Sequence, residues 1–474
     1  MVSRQALRKR NRKESLIYCP LLPTPFIIKR DNFFNTMVVS QGRSPSAQET
    51  FLQMAQAAGL RSRLLVTIGL LVLVRLGIYI PVPGIDRVAF SEFVQGGGAG
   101  GVLGFLDIIG GGGLSLVGIF ALGILPFINA SIIMQLLTAA IPALEDLQKN
   151  EGEAGRRKIS QVTRYVAFGW TILQSTMLSC FLLRPYAYEF GVPFVVETVI
   201  ALTAGSMFVM WVGELITERG LGNGASLLIF LNIVSSLPRV LGETVDLAQT
   251  ANDRSTIGGI IILFLVFLAT IVGIVFVQEG TRRIPIVSAR RQVGRKLYLE
   301  KSNYLPLRLN QGGVMPIIFA SSMLIIPISL VQYIPGDGFR QFMTTNFSAS
   351  SPLYIFVYLV MIVFFSYFYA SLVVNPEDMS RNLKKMGASI PGIRPGRATT
   401  DYIGKVLNRL TFLGAIFLGS VAVVPSLVES ATRVQTFQGF GATSLLILVG
   451  VAIDTAKQIQ TYVISQRYEG MVKQ

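Results

Sequence analysis

Ten apolar runs, most of them close to bilayer length, constrain this 474-residue chain more than any other feature of its sequence. A helix needs roughly 20 apolar residues to cross the hydrocarbon of a membrane. The chain is 51% hydrophobic and only 14% charged, where soluble proteins carry about 25% charged residues. The runs therefore predict a multi-spanning, all-α membrane protein. In order they are residues 64–80, 116–141, 165–183, 194–216, 225–237, 257–277, 312–331, 353–374, 410–424, and a tenth from about Ser444 that ends in a polar turn with Asp454, Lys457 and Gln458. The fifth is short and stops at Pro238. Arg75 lies near the far end of the first. A cation at mid-span costs roughly 2.5–3.5 kcal/mol, whereas near an end it can reach the headgroups.

The second run has an unusual approach. Gly96-Gly97-Gly98-Ala99-Gly100-Gly101 precedes a short apolar piece, 102–109, and Gly110-Gly111-Gly112-Gly113 follows it. The piece is too short to cross, and glycine on both sides lets it fold back. Irregular backbone at membrane depth survives only where protein buries it or water bathes it. The stretch thus predicts a cavity with the other spans arranged around it. Ten spans divide into five and five, so the second half inserts with opposite orientation. The second run of each half is interrupted by glycine and proline: Pro126 in one, Gly312, Gly313 and Pro316 in the other. Such a matched pair is a sequence pointer to a translocation site.

Charge adds orientation. Lysine and arginine number 42 against 26 acids, a net +16. The loops after the second, fourth, sixth and eighth runs, with both tails, hold most of the cations. By the positive-inside rule both termini are cytoplasmic. The loop 278–311 holds Arg282, Arg283, Arg290, Arg291, Arg295, Lys296, Lys301 and Arg308, and a second basic loop spans 375–409. The excess also suits an anionic partner such as RNA or an acidic protein surface. Residues 1–36 are basic, lack a secretory h-region, and are expected to be disordered and to lie upstream of a true start at Met37. Residues 48–60 read as an amphipathic helix within a cytoplasmic segment, 37–63. The expected organisation continues with an N-terminal half, 64–241, a C-terminal half, 242–462, and a tail, 463–474.

Several chemistries are excluded. The chain has no histidine, which removes serine-protease triads, histidine metal sites and histidine proton relays. Cys19 and Cys180 are far apart and suggest neither a zinc cluster nor a disulfide framework. No phosphate-binding loop of the form G-x-x-x-x-G-K-[ST] occurs, so energy must come from a partner. No cofactor, metal or enzyme activity is expected. A secondary transporter for a small solute is the alternative, but its usual mid-membrane ionisable residues reduce here to Arg75, Glu214 and Asp454, all nearer span ends.

From about Gln48 to the end the sequence resembles the SecY family of bacterial and plastid protein-translocation channels. The resemblance is carried by Pro81-Val82-Pro83-Gly84-Ile85-Asp86, Phe120-Ala121-Leu122-Gly123-Ile124, Ala130-Ser131-Ile132-Ile133-Met134-Gln135-Leu136-Leu137, Ile216-Thr217-Glu218-Arg219-Gly220, Gly222-Asn223-Gly224, Phe319-Ala320-Ser321-Ser322 and Pro391-Gly392-Ile393-Arg394-Pro395-Gly396. It implies ten helices in two inverted halves around an hourglass pore, through which unfolded preproteins pass or from which transmembrane segments leave sideways into lipid. It implies a pore ring of Ile124, Ile128, Ile229, Ile233, Ile318 and Ile447, with Leu231 and Asn232 where relatives often have small residues. The plug would be about 101–109, with Val102, Leu103, Phe105, Leu106 and Ile109. The lateral gate would lie between spans two and three and spans seven and eight, with Gln135 and Asn310 as weak polar contacts. Arg282, Arg283, Arg290, Arg291 and Arg394 would dock the ribosome and the SecA motor ATPase. Further implied partners are SecE and a SecG-like subunit, in the plasma (inner) membrane and, in hosts that have one, the thylakoid membrane.

Overall fold

A computed structural model describes residues 58–95, 107–108, 110–150, 152–250, 254–288, 292–293, 296–297, 302–331, 351–432 and 442–472, all within one compact unit, Met54–Gln474. The expected basic extension, most of the amphipathic stretch 48–60, the plug residues Val102, Leu103, Phe105, Leu106 and Ile109, and Arg290 and Arg291 lie outside the described residues.

The helices are α1 (Ala58–Gly77), α2 (Arg87–Gln95), α3 (Leu125–Ala140), α4 (Pro142–Asn150), α5 (Gly152–Met177), α6 (Val192–Arg219), α7 (Gly224–Thr250), α8 (Arg254–Glu279), α9 (Met315–Val331), α10 (Pro352–Val373), α11 (Pro376–Lys385), α12 (Arg397–Thr432) and α13 (Ala442–Val472). All but α2, α4 and α11 coincide with the ten predicted spans. Six stretches of the described residues are long and apolar enough to cross a membrane by that measure alone. Three of the other four fall short for visible reasons: α3 and α9 have 16 and 17 residues, and α1 carries Arg61, Arg63 and Arg75. Outward faces are apolar, as lipid requires; on α8, Phe264, Leu265 and Phe276 are exposed.

Three spans differ from expectation. Only the second part of run 116–141 is helical, because Pro126 sits in the first turn of α3. Ahead of it the chain pairs its backbone with the end of the first span: Val82 N–H donates to Val117 O at 3.0 Å and Ile119 N–H to Ile80 O at 2.9 Å. Gly118 is needed there, since a Cβ would lie 2.1 Å from the Ile78 carbonyl oxygen. At 1.5 Å per residue α3 is about 24 Å long, a part-helix rather than a full crossing. The fifth span does not stop at Pro238; α7 continues through it to Thr250. Proline removes a backbone donor from the ladder. One turn earlier the Ser235 and Ser236 hydroxyls donate to the carbonyls of Asn232 and Ile233, both at 2.8 Å. The tenth span has no polar turn at Asp454, since α13 runs unbroken to Val472.

The two halves repeat one packing plan. In the first half α3 packs on α5, α5 on α6, α1 on α6 and α6 on α7. In the second α9 packs on α10, α10 on α12, α8 on α12 and α12 on α13. Each pair is matched by the pair five spans later. The halves join where α7 meets α8 and α13, and touch sparingly where α3 meets α9. One central core runs through both, from Val74 and Ile78 of the first span to Leu445 and Leu446 of the tenth.

The basic loops are not irregular. Strand β1 (Thr281–Ser288) pairs antiparallel with β4 (Ser302–Arg308) from Thr281 opposite Arg308 to Val287 opposite Ser302. Between them β2 (Gln292–Val293) and β3 (Lys296–Leu297) form a short hairpin. Strand β5 (Ala388–Ser389), from the other basic loop, adds to the free edge of β1 at Val287 and Ser288. Pro285 lies before that junction, where one edge of β1 is open and a missing donor costs no ladder bond. Ile284, Ile286 and Leu307 pack with Leu383, Ile390, Ile403 and Leu407, so the two loops share a core.

Candidate functional site at the bundle centre

The six isoleucines expected to form a ring lie on four elements and belong to one apolar cluster. Ile124 caps the start of α3 and Ile128 follows one turn on; Ile229 and Ile233 project from α7, Ile318 from α9 and Ile447 from α13. All but Ile318 are under 10% exposed, and Ile318 packs against the same cluster. Ile124, Ile128, Ile229 and Ile318 floor a cavity of about 420 Å³. Phe127, Met315 and Phe319 add to the apolar lining, and Arg164, Glu214, Glu218 and Asn223 supply a polar rim. Arg164 Nε donates to Glu214 Oε1 at 2.8 Å across that rim. The arrangement is a vestibule with exposed polar groups and a buried apolar base.

A tight turn fixes the ring segment of α7. A Cβ at Gly224 would lie 1.9 Å from the Gly213 carbonyl oxygen, so α6 and α7 meet backbone to backbone. Thr217 Oγ1 bridges them, accepting from Gly224 N–H and donating to Gly213 O, each at 2.9 Å. Asn223 Oδ1 accepts from Ala225 N–H at 3.1 Å and starts the helix. The Gly222-Asn223-Gly224 motif thus sets where Ile229 and Ile233 point.

Two residues of the glycine-flanked piece belong to the buried interior. Of its residues the described ones are Asp107 and Ile108, 2% and 8% exposed. Ile108 belongs to the same cluster as Ile124, Ile128 and Ile233. Asp107 accepts from Ser115 N–H at 2.8 Å and its carbonyl from Gly112 N–H at 2.7 Å, closing the glycine turn.

Not every expected residue joins the centre. Gln135 lines the vestibule. Asn310 is buried at the mouth of α9, where Nδ2 donates to Gly313 O at 2.7 Å. Among the described residues no hydrogen bond links the two. Arg282, Arg283 and Arg394 lie away from the centre, exposed on the joined basic loops. The Arg283 guanidinium sits 4.9 Å from the Tyr304 ring centre. Arg394 stands on a turn pinned by Thr399 Oγ1, which donates to Arg394 O at 2.9 Å, and by Ser380 Oγ, which donates to Gly396 O at 3.0 Å. Nothing in the sequence pairs Arg164 with Glu214, which lie 50 residues apart.

Residues 118–456 match the family model for SecY. The chain belongs to the SecY family. A protein translocase subunit SecY from Synechococcus elongatus is 69% identical over 441 residues, covering 92% of this chain and all of that protein. SecY from a Synechocystis species is 70% identical over 445 residues with the same coverage. The chloroplastic preprotein translocase subunit SECY of Zea mays is 44% identical over 412 residues, 87% of this chain and 73% of that one. Among solved structures, one described as a protein conducting channel superposes with a TM-score of 0.58 at 18% identity, covering 84% of this chain and 91% of that one. Sec61 in a canine ribosome-channel complex gives 0.54 at 18% identity with the same coverage. The SecY fold is therefore that of this chain: ten helices, two inverted halves and a central passage. Membership sets aside the small-solute transporter.

Proposed function

We propose that this SecY-family chain is the channel subunit of a protein translocase, passing unfolded preproteins across the membrane and releasing hydrophobic segments into lipid. The observation that carries the reading is the charged vestibule ending in a floor of isoleucines drawn from both halves. An apolar constriction of this kind empties of water when narrow, blocking ions, and deforms around a chain. Ile124, Ile128, Ile229, Ile233, Ile318 and Ile447 form the ring in this reading. The glycine-tethered piece 101–109 is the plug, supported by the burial of Ile108 against the ring. The lateral exit lies between α3 and α5 on one side and α9 and α10 on the other, where α3 and α9 touch sparingly. Gln135 and Asn310 border it and act separately.

The exposed arginines of the joined loops, with Arg394 on its pinned turn, are the docking face for SecA and the ribosome. The neighbour structures include ribosome-bound channels. Contacts to RNA there are electrostatic and weaken with salt. SecE and a SecG-like subunit complete the complex. Both termini are cytoplasmic on the charge argument, and the membrane is the plasma (inner) or thylakoid membrane. The chain supplies the passage and the motor supplies the energy.

The test is transport by reconstituted complex. Proteoliposomes holding this chain with its small subunits, given SecA and ATP, are expected to shield a preprotein from external protease. Absence of shielding, together with saturable uptake of a small solute, would refute the reading.

A further inference from the structure

We propose that two arginines latch the glycine turn behind the plug: Arg239 of α7 on the Asp107 carboxylate, and Arg75 of α1 on the Gly111 carbonyl. This deepens the plug reading and rests on it. A carboxylate that is 2% exposed is costly to bury unless it is paired. One oxygen of Asp107 is used by Ser115 N–H. The other faces Arg239 Nη1 at 3.8 Å. The Asp107 side chain is 3% exposed and that of Arg239 is 50% exposed, so the arginine straps a buried charge from the surface. Arg75 Nη1 donates to Gly111 O, and its guanidinium rests 5.8 Å from the Tyr79 ring centre. Gly111 is left-handed, at φ 73, and a Cβ there would lie 2.6 Å from Asn232 Oδ1. Asn232 lies between the ring residues Ile229 and Ile233 on α7. The turn is therefore clasped by the first span and, at two points, by the fifth, which is also the ring helix.

Charge placement supports the same conclusion. Arg75 ends α1, and Arg239 lies in the later part of α7, beyond Pro238 and away from the Gly222–Gly224 turn. Both sit toward the end of the bundle remote from the basic loops, where the topology rule disfavours cations. Each has a partner in the same short turn. Moving the plug aside must break both contacts, so the latch sets how strongly a passing segment must engage before the channel opens.

The experiment uses the reconstituted complex in a Cys19→Ser, Cys180→Ser background and reads ion conductance with no preprotein present. Arg239→Cys is expected to raise resting conductance roughly tenfold, as stranding one member of a buried charge pair should. Treating that variant with an ammonium-bearing thiosulfonate, which restores a cation, is expected to return conductance toward native. A sulfonate-bearing reagent of similar size is expected not to. Both reagents act on one folded protein, so charge is separated from folding. No leak in Arg239→Cys, or a leak reversed by both reagents or by neither, overturns the latch. Deleting 102–106 distinguishes the underlying reading. If the deletion leaks and Arg239→Cys does not, the latch alone fails; if the deletion also stays sealed, the plug assignment fails with it.

Discussion

Gly224→Ala is predicted to unsettle the ring without touching it. The added methyl carbon would sit 1.9 Å from the Gly213 carbonyl oxygen, and an ordinary contact begins near 3.4 Å, so α6 and α7 must part by about 1.5 Å. The obstruction is backbone, which has no rotamer to yield. The retreat breaks the hydrogen bond between the helices, from Gly224 N–H to Thr217 Oγ1, worth about 1 kcal/mol. Overpacking adds about 1–3 kcal/mol. The total is about 2–4 kcal/mol, and the melting midpoint of the detergent-purified complex should fall by about 3 °C. Because Ile229 follows on the same helix, resting ion conductance should rise as well. Gly242→Ala serves as the control, since nothing lies within 4 Å of a Cβ there, and should leave both readouts at native values. A Gly224→Ala complex that melts within a degree of native and stays sealed would refute the backbone-contact argument.

Replacing all six ring isoleucines with glycine removes the dry constriction, and the closed channel is expected to conduct ions; unchanged single-channel recordings would dismiss the ring. Arg394→Glu reverses a charge on an exposed, pinned turn, so SecA-driven translocation is expected to stop while the channel still inserts and purifies with its small subunits. Normal transport by that variant would remove Arg394 from the docking face.

The membrane architecture was legible because length and hydropathy report the same thing that lipid demands of a helix. The details that escaped are those set by partners outside the run. Hydropathy cannot separate the irregular backbone at 116–124 from the helix that follows, since both are apolar; the backbone bonds between Ile80 and Ile119 make the difference. Pro238 read as a stop because proline usually is one, and α7 nevertheless continues past it with two serine hydroxyls bonded to carbonyls in the preceding turn. The loop sheet was missed for another reason. Ile284 and Ile286, and Leu305 and Leu307, alternate in the manner of a half-buried strand, but the runs are short and lie among dense positive charge that the topology rule already accounts for. The ring isoleucines were legible only through family resemblance, since isoleucines four apart are common in any membrane helix. Arg239 and Asp107 stand far apart in sequence, and nothing in either neighbourhood names the other.

The pairing of β5 with β1 has a mechanical consequence. Two connections that look like independent tethers form a single stiff handle. The chain enters and leaves this handle through α8, α9, α10 and α12. A motor or ribosome grasping either connection therefore holds four helices at once, and the load it applies is shared among them instead of drawing one hairpin out of the membrane.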